Sequence, residues 1–576
     1  MIPRRRTVAA LLALLVALAL PSSAWAHAAL VRTEPSASGV VNRPPASITL
    51  TYSEPVEPRF AIVSVTDADG AQKSAAAPVR SPTDSNALVV RLKPLVKGWY
   101  LVYWRVVSVD GHPVRGAYTF AVGPNPGPAP QFVIPSISET ATTPRLLAAR
   151  WVVFLSVMAA IGLFVLRTIV ARPVVRRVAG TDLRAVTIAL AAAVVVALVA
   201  TPVYVVIATA EFALRPVTDL GALLPLVRDS AFGRGYLDLE LCLALFAFAA
   251  GVSIWLDRPE REQRSVAEVL ALVGTLAAAG AVLVIPGLAG HAAQTTPRGA
   301  SVLFDWLHLA AGSIWIGGLA GLLVLWRSLP AERRVAGLVV CVPRFSNVAF
   351  VSVLVLVASG IGSSVVHLPT LATLWETSYG KTLLIKIAIL ALALTLAAGN
   401  LLRSKPRLQA SSRRPELGLP AAALLRRLIS GEIVLVAGAV FAAAVLSSLA
   451  PPSKALANIG KAAARVGPGP VESVVNQNGY RLQFNVAPNR AAVPNRFSVA
   501  ITRGGKPVEG ADVTTSFTML DMEMGQQAYH LAETRPGVYE HAAPALVMVG
   551  HWGLSYEIEP PSGQPFTVVI VDRANG

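Results

Sequence analysis

Residues 302–326 read VLFDWLHLAAGSIWIGGLAGLLVLW. Only Asp305 and His308 interrupt the run with side chains that ionise near neutral pH, and a membrane span needs roughly 20 mainly apolar residues. This segment is therefore a membrane helix. Seven others share its character: Leu146 to Leu166, Ala185 to Ala210, Tyr236 to Leu256, Val266 to Gly287, Phe345 to Val366, Thr382 to Leu402 and Leu428 to Leu449. Eight spans place both flanking segments on one side of the bilayer. At 576 residues, 54% of them apolar, the chain is too long for one domain and too apolar for a soluble one.

The net charge of +17 suggests a nucleic-acid partner until it is divided along the chain. It amounts to +3 in residues 1–26, +2 from His27 to Pro144, +12 from Arg145 to Pro452 and zero beyond. The excess belongs to arginines flanking the membrane, which excludes a basic nucleic-acid groove. Loops one, three, five and seven carry most of it, including Arg172, Arg176 and Arg177, then Arg258, Arg261 and Arg264, then Arg333 and Arg334, then Arg413 and Arg414. Cytoplasmic loops hold the Lys and Arg surplus, so both flanking segments are expected outside the cytoplasm, in a multi-pass protein of the cytoplasmic membrane.

The N-terminus agrees with export. Arg4, Arg5 and Arg6 precede the apolar run Val8 to Leu20, with small residues at Ala24 and Ala26, the pattern of a signal peptide over residues 1–26. Cleavage there makes His27 the first residue of the mature chain. A free α-amine and Nδ1 of the same imidazole close a six-membered chelate around one metal ion, and copper(II) favours such nitrogen ligands in tetragonal geometry. A supporting group lies downstream in Asp110, Gly111 and His112.

From His27 to Val122 short alternating runs are broken by Pro, Gly and Asn: Ser47 to Tyr52, Ala61 to Thr66, Ala87 to Leu92, Trp99 to Val107 and Gly116 to Val122. Period-two alternation with such breaks predicts a small antiparallel β-sandwich or barrel. Residues 123–144 form a linker whose proline-rich start, Gly123 to Pro130, is semi-rigid. The eight-span block covers residues 145–450. Polarity returns over residues 453–576, where Tyr480 to Val486, Arg496 to Thr502, Val513 to Leu520 and Gly553 to Ile558 predict a second all-β sandwich. Cys242 is expected in a helix and Cys341 in a cytoplasmic loop, so no disulfide framework is available.

Eight histidines fall in the chain, none in a predicted cytoplasmic loop. His291 follows the outward end of span four and His367 that of span six. His308 is expected about 9 Å below the start of its helix at Val302. A histidine at a membrane boundary is commonly just solvated. One inside an apolar helix is a functional candidate, and three at one face of the bilayer point to a metal site. Asp305 lies three residues before His308, on the same helical face, placed to orient the imidazole. Gly312, Gly317, Gly318 and Gly321 allow close helix approach, and Lys386 and Glu432 are expected to serve structural pairing.

His27 and Ala28 with Pro35, the run Thr51 to Val56, and Val109 to Pro113 resemble the periplasmic copper-binding protein CopC. The resemblance implies that His27, Asp110 and His112 hold copper(II). The membrane block is similar to its partner CopD through His291, Trp306 to His308, Ile314 to Leu319, Tyr379 to Lys381 with Lys386, and Arg426 to Glu432. Residues Met519, Met522, Met524, Gly525, Gly537 to Tyr539, Met548, Gly550 and Trp552 resemble YtkA-like or FixH-like extracytoplasmic domains. Together they imply a CopC and CopD fusion that imports copper into bacteria, with a copper chaperone or copper enzyme as an expected further partner and no catalytic activity.

The first block contains no methionine, so a copper(II) site and no copper(I) site is expected there. Thioethers select copper(I), and Met519, Met522, Met524 and Met548, with His530, His541 or His551, form the available cluster; filling a sandwich core is their other reading. Two other functions fit parts of the pattern. The chain can act as a copper sensor or copper-enzyme assembly factor without net transport. The N-terminal chelate also suits a histidine-brace oxidase, against which a carboxylate at Asp110 would fill the position oxygen needs.

Overall fold

The computed structural model describes residues 30–36, 39–52, 55–108, 113–124, 143–289, 297–368, 370–449, 462–491, 493–520, 527–547 and 549–575. The fold is multi-domain: an N-terminal all-β domain, eight apolar helices and a C-terminal all-β domain, as expected.

The first domain has strands β1 Leu30–Glu34, β2 Val40–Val41, β3 Ser47–Tyr52, β4 Ile62–Asp67, β5 Val79–Arg80, β6 Ala87–Arg91, β7 Gly98–Val107 and β8 Pro113–Val122. They form two four-stranded sheets, ordered β1-β3-β6-β5 and β2-β8-β7-β4. Along β3, Ile48, Leu50 and Tyr52 are buried while their neighbours are half-buried, the period-two pattern of a sheet with one face on a core. That core is completed by Val102, Trp104, Val106, Tyr118 and Phe120, and Tyr52 meets Trp104 edge-on at 5.7 Å. One detail departs from the antiparallel expectation, since β2 pairs with β8 in parallel. Two residues of β2 contain too little alternation to mark a strand.

The C-terminal domain has strands β9 Ala464–Val466, β10 Val471–Gln477, β11 Tyr480–Ala487, β12 Asn495–Arg503, β13 Lys506–Pro507, β14 Asp512–Met519, β15 Gln527–His530, β16 Ala532–Arg535, β17 Val538–Ala543, β18 Gly550–Glu559 and β19 Phe566–Ala574. One sheet runs β10-β11-β12-β17-β16 with β13 on β12, the other β15-β14-β18-β19-β9. Phe484, Phe497, Phe517, Leu554 and Tyr556 are fully buried, and Phe497 and Phe517 touch at 4.5 Å between centroids.

The membrane unit comprises α1 Pro144–Arg177, α2 Arg184–Ala213, α3 Ala231–Leu256, α4 Val266–Leu288, α5 Arg298–Arg327, α6 Arg334–His367, α7 Ser378–Ala410 and α8 Pro415–Leu446. Thr143 caps α1 by accepting from Leu146 N at 3.2 Å, with Pro144 at the first helical position, where its missing N–H costs nothing. Ser265 and Glu268 form a capping box at α4: Glu268 N donates to Ser265 Oγ at 3.3 Å, and Ser265 N to Glu268 Oε2 at 2.6 Å.

Several helices extend well beyond their apolar cores. The sixth begins at Arg334 rather than Phe345, which places Cys341 in a helix and fully buried, not in a loop. Apolarity marks the part of a helix inside hydrocarbon, whereas hydrogen bonding continues past it.

The most enclosed helix is α1. It crosses α5 where Gly162 faces Gly317, and a Cβ on Gly162 would lie 2.7 Å from Gly317 Cα. The glycine-rich face of α5 is thus used for packing. Val195, Val199, Phe248, Val351, Leu354 and Ile361 project outward, as lipid-facing side chains do.

At the end bearing the arginine-rich connections, Arg167 and Arg172 of α1 grip Asp257. The N–O distances are both 2.9 Å, and every side chain involved is buried. Arg172 also lies 3.8 Å from Glu268, tying α1, the α3–α4 connection and α4 together.

Candidate metal centres

His27, Asp110, His112, His291, Met522, Met524 and Met548 lie outside the described residues. The strands that flank His27, Asp110 and His112 in sequence are described. Leu30, three residues after His27, pairs with Tyr52 at the end of β3. Four residues on, Val56 bridges Ser108 at the end of β7, and Glu57 N donates to Val107 O at 2.8 Å. The strands β7 and β8 close with Val107 opposite Pro113. The start of β1, the end of β7 and the start of β8 therefore share one end of the sandwich.

His308 is described in detail. Its helix starts at Arg298, four residues before the sequence-based start, so the imidazole sits ten residues in, about 15 Å down the helix instead of 9 Å. Nδ1 lies 3.1 Å from Leu356 O and 3.3 Å from Ser359 Oγ. A carbonyl can only accept. The Ser359 hydroxyl donates to α6 carbonyls, 2.6 Å from Val355 O and 3.1 Å from Leu356 O. Nδ1 must therefore carry the proton, which leaves Nε2 as the bare, metal-competent nitrogen. A backbone carbonyl holding the opposite ring nitrogen is the usual way a protein orients a ligating histidine.

Lys386 Nζ stands 3.5 Å from that Nε2, and Lys386 interacts electrostatically with Asp305. Asp305 thus faces the lysine, and the groups that hold the His308 ring come from α6. The lysine, expected to serve structural pairing, adjoins the candidate ligand itself. Its proximity was not legible in the sequence, because Lys386 and His308 are 78 residues apart.

His367 ends α6 and donates from Nδ1 to Ser363 O at 2.7 Å. Ser359, beside His308, precedes His367 by eight residues, about 12 Å of helix. His308, held from α5 against Ser359, and His367 at the end of α6 thus stand at successive levels along α6. Among the described residues, no group of three or more His, Cys, Asp or Glu side chains is arranged to hold one ion.

In the C-terminal domain Met519 is 2% exposed, opposite Trp552 across β14 and β18. Its side chain fills the sandwich core. At the surface His530 Nδ1 is 3.1 Å from Asp512 Oδ1, and His541 stacks on Tyr529 at 5.0 Å between centroids. Burial first, and His530 second, hold the His541 imidazole below the ordinary histidine range.

Family models match in three consecutive parts: the CopC domain over residues 30–123, Copper resistance protein D over residues 339–446, and YtkA-like over residues 475–557. The chain is 24% identical over 547 residues to Copper transport protein CutJ of Bacillus subtilis, covering 92% of this chain and 93% of that protein. It is 39% identical over 112 residues to Protein YobA of Escherichia coli K12, covering 19% of this chain and 90% of YobA. The crystal structure of CopC from Methylosinus trichosporium OB3b shares 29% identity and a TM-score of 0.16, covering 19% of this chain and all of that one. The order of the domains and the near full-length similarity to CutJ mean that the chain belongs to the CopC–CopD copper-resistance family, as a fusion with a YtkA-like domain at its end.

Proposed function

We propose that this protein takes up copper outside the cytoplasm and passes it inward across the membrane, acting by ligand exchange and catalysing no reaction. The observation that carries the reading is His308 in the membrane unit. Its tautomer is fixed by Leu356 O, its Nε2 is left unprotonated and faces Lys386 Nζ, and it sits about 15 Å down an apolar helix.

Capture begins in the first domain, where the α-amine and imidazole of His27, with Asp110 and His112, bind copper(II). The shared end of the sandwich supports this, since it brings together the start of β1, the end of β7 and the start of β8, which flank these residues in sequence. His291 and His367 serve as entry ligands, and His308 is the deeper station. Stations at successive levels, about 12 Å apart along α6, let an ion move inward by exchange between ligands. The arginine-rich connections between spans support an orientation with both β domains outside.

Copper accumulation in copper-limited cells tests the proposal. Cells expressing His308→Ala should accumulate as little copper as cells lacking the gene, with the protein present in the membrane at normal level. Normal accumulation in that variant refutes transport through His308. Copper binding with no change in cell copper would instead indicate sensing or copper-enzyme assembly.

A further inference from the structure

Glu432 lies in the middle of α8, within the apolar part of the helix, and is 2% exposed. A carboxyl group placed there is costly and marks function by default. Its side-chain partner is Asn400 of α7, whose Nδ2 donates to Glu432 Oε1. Asn400 opens a wide turn, Asn400–Ser404, in which Lys405 N–H reaches back five residues to Asn400 O. Such π turns within a helix are frequent at functional sites. Two further polar atoms here, Asn400 Oδ1 and Ser404 Oγ, are buried without a hydrogen-bond partner.

Among the described residues no ion pair accounts for the carboxyl group. Among the described residues no cation faces it from α1, α5, α6 or α7, the helices packed against α8. Arg426 of its own helix lies over Trp326, Arg344 of α6 donates to Val340 O, Lys405 of α7 donates to Asn347 Oδ1, and Arg403 is exposed. Arg150 of α1 is engaged by Tyr204 and Ser448. Arg427 lies five residues before Glu432, toward the arginine-rich end.

The amide suits a group that changes protonation. A carboxylate accepts from Asn400 Nδ2, a contact of the kind present here. A carboxylic acid must donate, and a half-turn of the Asn400 amide presents Oδ1, which has no other partner. Glu432 can thus hydrogen-bond to Asn400 in either protonation state without backbone movement.

Position along α7 gives the pair its role. Lys386, beside His308, and Asn400 are fourteen residues apart on one helix, about 21 Å, so α7 links the metal station to this second polar station near the arginine-rich end. We propose that Glu432 and Asn400 form a reversible proton-binding site whose loading is coupled to copper passage. The coupling rests on the transport reading above; the proton site does not.

Infrared spectroscopy of the purified full chain in lipid, without copper, tests the proton site. A carbonyl-stretch band of a protonated carboxylic acid should appear as the pH is lowered, vanish in Glu432→Gln and shift in frequency in Asn400→Leu. A spectrum in which Glu432→Gln removes no such band overturns the proposal. Copper entry into proteoliposomes tests the coupling. An imposed pH gradient should change the wild-type rate severalfold and leave the Glu432→Gln rate unchanged, with copper binding to the chain retained. An equal response of both overturns the coupling. Wild-type vesicles that take up no copper at all defeat the transport reading and with it the coupling, while the infrared band still decides the proton site.

Discussion

Lys386 Nζ lies 3.5 Å from His308 Nε2, so the metal-competent nitrogen of the deepest histidine faces an ammonium group. A unit charge about 4 Å away at an effective dielectric of about 20 opposes another cation by about 4 kcal/mol, less what Asp305 offsets. Replacing it with an uncharged chain of similar length should tighten copper binding at this station by at least about tenfold. The measurement is a copper titration against a competing chelator, on the full chain with His112→Ala to silence the first domain. Unchanged or weaker binding in Lys386→Met would show that the lysine does not compete with the ion.

Asp257 takes both Arg167 and Arg172 at 2.9 Å with all three side chains buried. Removing one partner of a buried pair leaves charge uncompensated, at a cost of about 3–5 kcal/mol. Asp257→Asn should lower the thermal midpoint of the detergent-solubilised chain clearly, whereas Asp219→Asn, which breaks the exposed Arg215 pair, should leave it nearly unchanged. Equal midpoints for the two variants would assign the cluster no structural role.

The fold was legible where periodicity is strong. The eight spans and strands such as Ser47–Tyr52 and Tyr480–Ala487 announce themselves by composition or alternation. The two-residue strands Val40–Val41 and Val79–Arg80 do not, because they exist through pairing with distant neighbours. The site was legible as single residues. His308 stood out as an ionisable group in an apolar run, but its orientation by Leu356 O and its approach to Lys386 depend on helix packing. Asn400 carried no signal at all, since an asparagine near a helix end is ordinary until Glu432 is seen beside it.

Asp572 of β19 is fully buried, with Oδ1 accepting from Asn489 Nδ2 at 2.9 Å and Oδ2 lacking a partner. Burial pushes its carboxyl up to about 6, against the opposing hydrogen bond from Asn489. A folded value above the unfolded one means the folded domain binds this proton more tightly. The associated stabilisation is complete below the usual carboxylate value of about 4 and is lost as pH rises through about 6, a swing of about 3 kcal/mol. Hydrogen exchange in β18 and β19 of the full chain should accordingly be slower at about pH 4 than at about pH 7 after correction for intrinsic rates. In Asp572→Asn that difference should disappear, and its persistence would place the pH dependence on another group.

Gly317 and Gly162 set the distance between α5 and α1, and a Cβ on Gly317 would lie 2.6 Å from Leu163 N. Backbone atoms cannot step aside as a side chain does, so the added methyl groups of Gly317→Val must push the helices apart. At Gly321, one turn further, a Cβ would meet only the Leu166 and Leu163 side chains, which can change rotamer. Overpacking typically costs 1–3 kcal/mol, and Gly317→Val should exceed the cost of Gly321→Ala. His308 lies nine residues from Gly317 on the same helix, about 13 Å away. Displacing α5 should also move Nε2 relative to Lys386 on α7, and copper accumulation should fall although no ligand is altered. Thermal midpoints and cell copper for the two variants check this together. A Gly317→Val protein as stable and as active as Gly321→Ala would mean that the helices tolerate separation and that the crossing does not position the histidine.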